Sequence, residues 1–253
     1  MSEEWRYVLA AMLGVCMAAG FCVAAAELVW MFRRKALHRA ALREMALSLS
    51  PVPPHMLLTF LLSGVWAALF ATAYAIAPLH LPMSLPVLLV CLLLTDFAYY
   101  WEHRCAHRVP WLWRAYHAMH HGAPQYTVAT AYRVSPLSYF LAPAFYLPLV
   151  LIGFHPLLVA MLQQCCFHWQ AWLHTEMVGE LGWLDRWFNT PASHRVHHSD
   201  APEHRDRNLG AITLWWDHLF GTYAAPSEAI VYGIADTPAP RSLLDLYTST
   251  WRN

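Results

Sequence analysis

Charge is scarce in this chain. Asp, Glu, Lys and Arg make up 13% of its 253 residues, against about a quarter in soluble globular proteins. The sixteen basic and sixteen acidic residues cancel, so the chain lacks the positive field typical of nucleic-acid binding. Hydrophobic residues account for 58% of the sequence, and it contains thirteen tryptophans, whose rings favour membrane interfaces. The composition therefore predicts a membrane protein.

The sequence also lacks the motifs of disulfide scaffolds and of tightly held redox cofactors. Its six cysteines show neither a CxxC spacing nor a disulfide-framework pattern. No GxGxxG and no CxxCH occurs, so no flavin, nicotinamide or c-type haem site is indicated. Any redox chemistry would need an external electron donor.

Three long apolar runs are present, at residues 8–32, 56–77 and 85–101. Each approaches or exceeds the roughly 20 residues that cross a bilayer as a helix. The first begins after an acidic segment and precedes its basic cluster, which favours a retained helix over a signal peptide. Glu27 lies inside this run, and we expect it to reach the interface or to face a neighbouring helix.

Basic residues mark one side of the predicted membrane protein. Arg33, Arg34, Lys35, Arg39 and Arg43 follow the first span in one short loop. The connection after the second span, APLHLP, contains no Lys or Arg. The positive-inside rule places the first loop in the cytoplasm, so the third span should end on the cytoplasmic side.

A further apolar region, at about 137–175, is broken by Gly153 and Pro156. Histidine motifs precede and follow this region, and their side chains must meet in space. This requirement predicts a helical hairpin that enters and leaves the membrane on the same side. Pro143 and Pro148 should kink its first arm. The predicted fold is an all-α integral membrane protein with about four transmembrane helices or hairpin arms and a cytoplasmic, histidine-rich helical metal-binding region. The predicted divisions are N-terminal membrane helices (1–94), a catalytic domain (95–224) and a tail (225–253).

Histidines recur in three short motifs. They are HRCAH with His103 and His107, HAMHH with His117, His120 and His121, and HRVHH with His194, His197 and His198. Spacings of three and four residues place side chains on one helical face. Thr190 and Pro191 are typical of a helix start, whereas Gly122 and Pro124 indicate a helix end. Each motif should therefore project imidazoles from a helix.

The number of imidazoles indicates metal. Eight buried imidazoles without an ion would leave many polar groups unsatisfied. One zinc ion needs only three or four protein ligands, so this set suits two ions. Imidazole alone does not distinguish iron, copper, nickel and zinc. A site at a membrane surface suggests a lipid substrate, and two redox metals with an apolar substrate indicate oxygen-dependent C–H activation.

Several segments together resemble the fatty acid hydroxylase superfamily, which includes the sterol desaturases. These segments are DFAYYWEHRCAH, VPWLWRAYHAMHH, NTPASHRVHHS and RNLGAITLWWDHLFGTY, within about residues 95–224. WQAWLHTE and NTPASHRVHH are most similar to the alkylglycerol monooxygenase-like branch.

The resemblance implies two iron ions on the cytoplasmic side, with dioxygen and an external electron donor that is a protein or a pterin. It assigns metal-ligand roles to the eight histidines above and adds His174, in WLHTE. Gln170 stands where some family members carry a histidine, and it is a weak ligand, a support for a ligand or a packing residue. Further side chains that could hold imidazole N–H groups in place are Asp96, Glu102, Glu176, Asn208 and Asp217.

The expected protein is a membrane-bound nonhaem diiron oxidoreductase that hydroxylates a lipid, desaturates it or oxidatively cleaves an ether in it. No separate catalytic acid or base is assigned. A zinc-dependent membrane hydrolase would use the same imidazoles to activate water. A metal-binding or transport protein would place its ligands near the membrane midplane instead of at helix ends.

Overall fold

A computed structural model describes residues 2–228 and 230–251 of the protein. The described chain is helical, and its one extended pairing is an isolated antiparallel bridge between Phe188 and Thr213. The longer helices are α1 (Glu3–Arg33), α2 (Arg39–Leu49), α3 (Val52–Ala75), α4 (Leu85–Arg108), α7 (Ser138–Ile152) and α8 (Pro156–Leu173). The short ones are α5 (Pro110–Leu112), α6 (Ala118–His121), α9 (Leu184–Trp187), α10 (Pro191–His197), α11 (Trp215–Phe220) and α12 (Leu243–Thr248).

The predicted membrane character is confirmed. Within the described chain, three helical stretches are long and apolar enough to cross a bilayer, namely Glu3–Arg33, Arg39–Ala75 and Leu85–Arg108. Most of their side chains are not covered by protein, which is the expected state of helices that face lipid.

The basic segment after α1 is not one short loop, contrary to the sequence prediction. Arg39 and Arg43 lie on α2, and only residues 34–38 connect it to α1. His38 caps α2 by accepting a hydrogen bond from Ala41 N at 3.2 Å. The segment contains neither Gly nor Pro, and its Ala, Leu, Arg, Glu and Met residues favour helix.

The predicted hairpin is formed by α7 and α8. Gly153 closes α7 with φ of 117°, a conformation that side-chain-bearing residues avoid. Its carbonyl accepts a hydrogen bond from Leu81 N at 3.0 Å. At 15 residues α7 is shorter than a membrane span of about 20 residues. The hairpin packs against α4, and α8 also packs against α1.

Glu27 of α1 is buried and faces protein. Its carboxylate accepts hydrogen bonds from Val128 N at 2.7 Å and from the Thr175 hydroxyl at 2.6 Å. Val128 begins a 3-10 turn (Val128–Tyr132), and Thr175 directly follows His174. Glu27 therefore attaches both of these segments to α1.

Both predicted helix boundaries near the histidines are confirmed. Thr190 caps α10 by accepting a hydrogen bond from Ser193 N at 3.3 Å, and α6 ends at His121, before Gly122. The predicted tail includes α12 and a 3-10 turn (Ser249–Trp251), while positions 229, 252 and 253 of that tail lie outside the described residues.

Candidate metal centre

Nine histidines converge in two groups at and beyond the C-terminal end of α4. The five-histidine group consists of His103, His107, His117, His121 and His197, and the four-histidine group consists of His120, His174, His194 and His198. Within each group, one nitrogen from every ring lies within 4.8 Å of all the others. These nine are the histidines that the sequence analysis singled out.

In the four-histidine group, His174 lies at the centre. Its Nε2 is 3.2 Å from Nε2 of His120, 3.0 Å from Nε2 of His198 and 3.2 Å from Nε2 of His194. One proton can be shared by only two of these nitrogens. A cation that accepts a lone pair from each would satisfy all four.

The five-histidine group has the same character. His121 Nε2 lies 3.1 Å from Nε2 of both His117 and His197, and His103 Nε2 lies 3.0 Å from His117 Nε2. Nε2 of the fifth member, His107, is buried and has no hydrogen-bond partner. A buried nitrogen without a hydrogen-bond partner beside four others is the arrangement expected of a metal ligand.

The two HxxHH motifs divide differently between the groups, which their identical spacing did not predict. His117 and His121 belong to the five-histidine group and His120 to the other, whereas His197 belongs to the five-histidine group and His194 and His198 to the other. His117 ends a π-helical turn (Trp113–His117), in which the backbone is wider than in an α-helix. Each motif therefore contributes to both groups.

Backbone carbonyls hold the opposite ring nitrogens. Nδ1 of His103 donates to Leu209 O at 2.9 Å, Nδ1 of His197 to Arg207 O at 2.8 Å, and Nδ1 of His174 to Gln170 O at 2.7 Å. Because a carbonyl can only accept, these bonds place the proton on Nδ1 and leave the Nε2 lone pair free. This tautomer is the one that binds metal through Nε2.

Burial keeps the imidazoles neutral. It lowers the pKa of the six imidazoles in the two HxxHH motifs well below the usual 6.5, and repulsion between neighbouring imidazoles lowers it further. The six are His117, His120, His121, His194, His197 and His198. A neutral ring keeps the lone pair that a metal ion requires, so this donor set fits two resident metal ions.

Two predicted supporting carboxylates act through the backbone and do not touch an imidazole. Asp217 accepts hydrogen bonds from Leu209 N at 2.8 Å and Gly210 N at 2.9 Å. Asp96 accepts from Ile212 N at 2.8 Å and from the Thr213 hydroxyl at 2.6 Å. Together they fix the loop whose Leu209 carbonyl receives His103.

The other predicted supports also bond elsewhere among the described residues. Asn208 donates to Ser193 O at 3.0 Å, and Glu176 pairs with the Tyr232 hydroxyl. Glu102 accepts from the Tyr146 hydroxyl at 2.9 Å. The Gln170 side chain donates to Ala211 O at 3.1 Å. Gln170 therefore contacts His174 through its backbone carbonyl and not through its side chain.

Asp206 and Arg133 are functional candidates that sequence reasoning missed. Asp206 Oδ1 lies 3.3 Å from His107 Nδ1, and its other oxygen pairs with Arg108. The hydrogen bond from His107 lowers the pKa of Asp206. Arg133 is fully buried, pairs with Glu44 and donates to Met119 O at 2.8 Å. Neither residue lies in a recognisable local pattern, because its partner is far away in the chain.

Two cavities reach the histidines. One, of about 200 Å³, lies between α4, α7 and α8 and is bordered by His103, His117, His120, His174 and His194. The second, of about 660 Å³, is bordered by His107, His121, His197 and His198 and by polar residues such as Asp200 and Arg205. No residue borders both cavities, so the histidine groups are accessible from two separate spaces.

Comparison with known proteins finds relatives that are named as lipid monooxygenases and hydroxylases. The alkylglycerol monooxygenase of Danio rerio is 41% identical over 145 residues, which cover 57% of this chain and 32% of the relative. The alkylglycerol monooxygenase of Homo sapiens is 41% identical over 139 residues, covering 55% and 31%. The ornithine lipid hydroxylase OlsE of Rhizobium tropici is 33% identical over 137 residues, covering 53% and 41%.

These matches span about a third of the length of the alkylglycerol monooxygenases. No solved structure is significantly similar to the chain. The family model described as "Fatty acid hydroxylase" matches residues 88–222, a segment that contains all nine histidines and most of the hairpin and loops that hold them. The family model thus matches more than half of the sequence, and the chain belongs to the fatty acid hydroxylase family, as the histidine motifs indicated.

Proposed function

We propose that the protein is a membrane-bound nonhaem diiron monooxygenase that uses dioxygen to hydroxylate a lipid. The convergence of two histidine groups on one cavity with a largely apolar wall carries this proposal. Two iron ions, bound by the five-histidine and four-histidine groups, would supply the oxidising power for attack on a C–H bond. The chain supplies neutral nitrogen ligands, a cavity for the lipid and a helix bundle in the membrane.

The alkylglycerol monooxygenases among the relatives make an ether lipid the first substrate to test. Hydroxylation of the carbon beside the ether oxygen consumes one dioxygen, two electrons and two protons and releases one water. The resulting hemiacetal collapses to an aldehyde and a free alcohol. Desaturation would release water without oxygen insertion, so the products distinguish the two reactions.

The second cavity supports a separate approach for the electron donor. It borders both histidine groups and carries charged residues of both signs, including Arg114, Asp200 and Arg205. A polar reductant, either a pterin or the tip of a donor protein, fits this lining better than a lipid does. The described chain lacks a motif for a tightly held flavin or nicotinamide, which also favours an external donor.

The basic residues between α1 and α2 favour a cytoplasmic metal centre. Arg33 ends α1, and Arg34 and Lys35 follow it; α3 and α4, which are long and apolar enough to span a bilayer, would then cross in turn. The end of α4 that carries His103 and His107 would lie on the same side as these basic residues. Because the ligands lie at a helix end and beyond it, this arrangement also argues against a transport pathway.

The test uses the full chain in lipid nanodiscs, with 1-O-hexadecylglycerol, a reductant and ¹⁸O₂. We expect iron in the purified protein, and hexadecanal that carries ¹⁸O before exchange with water. His197→Ala should abolish product, whereas His168→Ala, on α8 outside both groups, should retain it. Active protein that holds zinc and works without oxygen would establish the hydrolase instead.

A further inference from the structure

The smaller cavity, next to the histidines, is not lined by hydrocarbon alone. Glu102, from α4, lies on its wall beside His103. Its Oε2 accepts a hydrogen bond from the Tyr146 hydroxyl at 2.9 Å. In the part of the chain that the structure describes, no donor bonds to Oε1. Glu102 belongs to neither histidine group, so its free oxygen is not already used as a ligand in them.

A second polar group faces the same cavity. Tyr116, from the π-helical turn before His117, lines it and is only 5% exposed. Its hydroxyl is buried and has no hydrogen-bond partner among the described residues. Unpaired buried hydroxyls are uncommon, because each forfeits the hydrogen bonds that it makes in water.

The remaining lining is a mixture that suits an amphiphile. Ala106, Ala142, Pro143 and Phe167 provide apolar surface, and Gln163 and Gln164 of α8 add amide groups. A pure alkyl chain in this cavity would leave the Glu102 oxygen and the Tyr116 hydroxyl desolvated and unpaired, which is unfavourable. A ligand with its own hydroxyl would pair with both, since an alcohol donates one hydrogen bond and accepts others.

We propose that Glu102 and Tyr116 recognise an alcohol group of the lipid, with Glu102 accepting its proton in a hydrogen bond and Tyr116 donating to its oxygen. The substrate class is then a lipid whose hydroxyl lies close to the carbon that is oxidised and which enters the cavity with its polar end towards the histidines. Tyr146 positions the Glu102 carboxylate. The inference rests on the proposed function for the identity of the cavity as the lipid site.

The test compares two probes that share the alkyl chain and the ether linkage but differ in their free hydroxyls, and the Glu102 and Tyr116 variants separate the lost hydrogen bonds from the added methyl bulk. The probes are 1-O-hexadecylglycerol and its 2,3-di-O-methyl ether, whose methylated oxygens can accept but no longer donate a hydrogen bond. Binding of each is measured by competition with a radiolabelled alkylglycerol on the full chain in nanodiscs, and KM and kcat are measured separately. We expect the wild-type protein to bind the free alcohol about tenfold more tightly, as the net contribution of about one hydrogen bond allows.

Three variants and a control test whether Glu102 and Tyr116 cause the preference for the free alcohol. Glu102→Leu should abolish it, Glu102→Gln should leave part of it because the amide oxygen still accepts, and Tyr116→Phe should reduce it several-fold. These changes should appear in Kd and KM more than in kcat. Glu180→Gln, an exposed glutamate outside the cavity, should behave as wild type. Should Glu102→Leu fail to fold, Glu102→Gln and Tyr116→Phe decide the matter.

The outcomes separate this inference from the proposed function. Equal binding of the two probes by the wild-type protein, or a preference that survives in both Glu102→Leu and Tyr116→Phe, would overturn the recognition of an alcohol. A wild-type protein that prefers the alcohol but never oxidises it with dioxygen would support the binding site and contradict the monooxygenase.

Discussion

At the scale of single residues, His174 is the member on which the four-histidine group depends. Its Nε2 lies within 3.2 Å of the corresponding nitrogen of His120, His194 and His198, and it comes from a different element than the two HxxHH motifs. Because the Gln170 carbonyl holds its other nitrogen, the ring is already oriented towards a metal ion before the ion arrives.

Replacement of His174 by alanine should therefore remove one metal ion. We expect bound metal in His174→Ala, measured by plasma mass spectrometry, to fall from about two to about one per chain. This loss follows because one of four converging ligands is gone from a site of ordinary coordination number. His168→Ala, six residues earlier on α8 and outside both groups, is the matched control. Full metal content in His174→Ala would contradict its ligand role.

Asp206 should matter for metal affinity although it is not a ligand in either group. It accepts a hydrogen bond from His107 Nδ1, and the Asp206 backbone adopts φ of 56°, which asparagine also tolerates. Asp206→Asn keeps the backbone and removes the charge that makes His107 a stronger donor to metal. We expect affinity to fall about tenfold to a hundredfold in a chelator competition titration. Asp236→Asn, also at positive φ (59°) but exposed, should leave affinity unchanged.

At the scale of elements, buried charges fasten the short helices that carry the histidines. Arg133 donates to the Met119 and Gly122 carbonyls, at the end of α6, and pairs with Glu44 of α2. A cation at a helix C-terminus complements both the helix dipole and the unpaired carbonyls. The four-residue helix with His120 and His121 is stabilised from outside, since it is too short to be stable alone.

Replacement of Arg133 should weaken the attachment of α6 to α2 and destabilise the protein. Arg133→Met leaves the Glu44 carboxylate without its partner, and breaking a buried ion pair in this way typically costs about 3–5 kcal/mol. We expect Arg133→Met to lower the free energy of unfolding by a corresponding amount, measured by denaturation in detergent. The double variant Arg133→Met/Glu44→Leu should recover part of the loss, because no unpaired charge remains. An unchanged stability in the single variant would contradict a structural role for the pair.

Gly153 should tolerate no side chain. Its φ of 117° excludes other residues, and an added Cβ would clash with the Leu79 carbonyl. We expect Gly153→Ala to lower the melting temperature and to weaken the packing of α7 on α8. Gly64→Ala in α3, where an added Cβ meets nothing within 4 Å, should instead be neutral or stabilising by about 1 kcal/mol. Equal melting temperatures for the two variants would argue against strain at the hairpin.

The sequence predicted what depends on local periodicity and composition. The apolar runs identified the membrane helices, and Gly153 and Pro156 divided the hairpin. Histidine spacing identified eight of the nine histidines that meet, and the family resemblance added His174. The sequence did not predict that His120 and His121 would separate into different groups, because this depends on a π-helical turn and on packing. It also missed Asp206 and Arg133, whose partners lie far away in the chain. Asp96 and Asp217, which were predicted to hold imidazoles, hold loop amides instead, because backbone carbonyls serve equally well as acceptors for imidazole N–H.

At the scale of the whole molecule, the order of helices fixes which surfaces share a side of the membrane. The connection between α1 and α2 and the histidine groups should lie on one side, and the connection between α3 and α4 on the other. The basic residues near the first connection favour the cytoplasm. This arrangement follows if α1, α3 and α4 all span the bilayer.

Protease sites inserted into sealed vesicles test this topology. A recognition site placed after Lys35 and another after Gly179, which lies in an exposed loop near His174, should be cut from the same side. A site after Pro82, between α3 and α4, should be cut only from the opposite side. Cleavage of the Gly179 and Pro82 sites from one common side would contradict the arrangement.

The two cavities that share no lining residue also have a kinetic consequence. If one takes the lipid and the other the reductant, neither reactant blocks the entrance of the other, and no obligatory order of arrival is imposed. We expect initial-rate plots for the two reactants to intersect, as in a ternary complex, and an excess of one to cause no competitive inhibition by the other. The enzyme would then wait for whichever partner is scarcer, so its flux would follow lipid supply when reductant is plentiful and reductant supply when it is not.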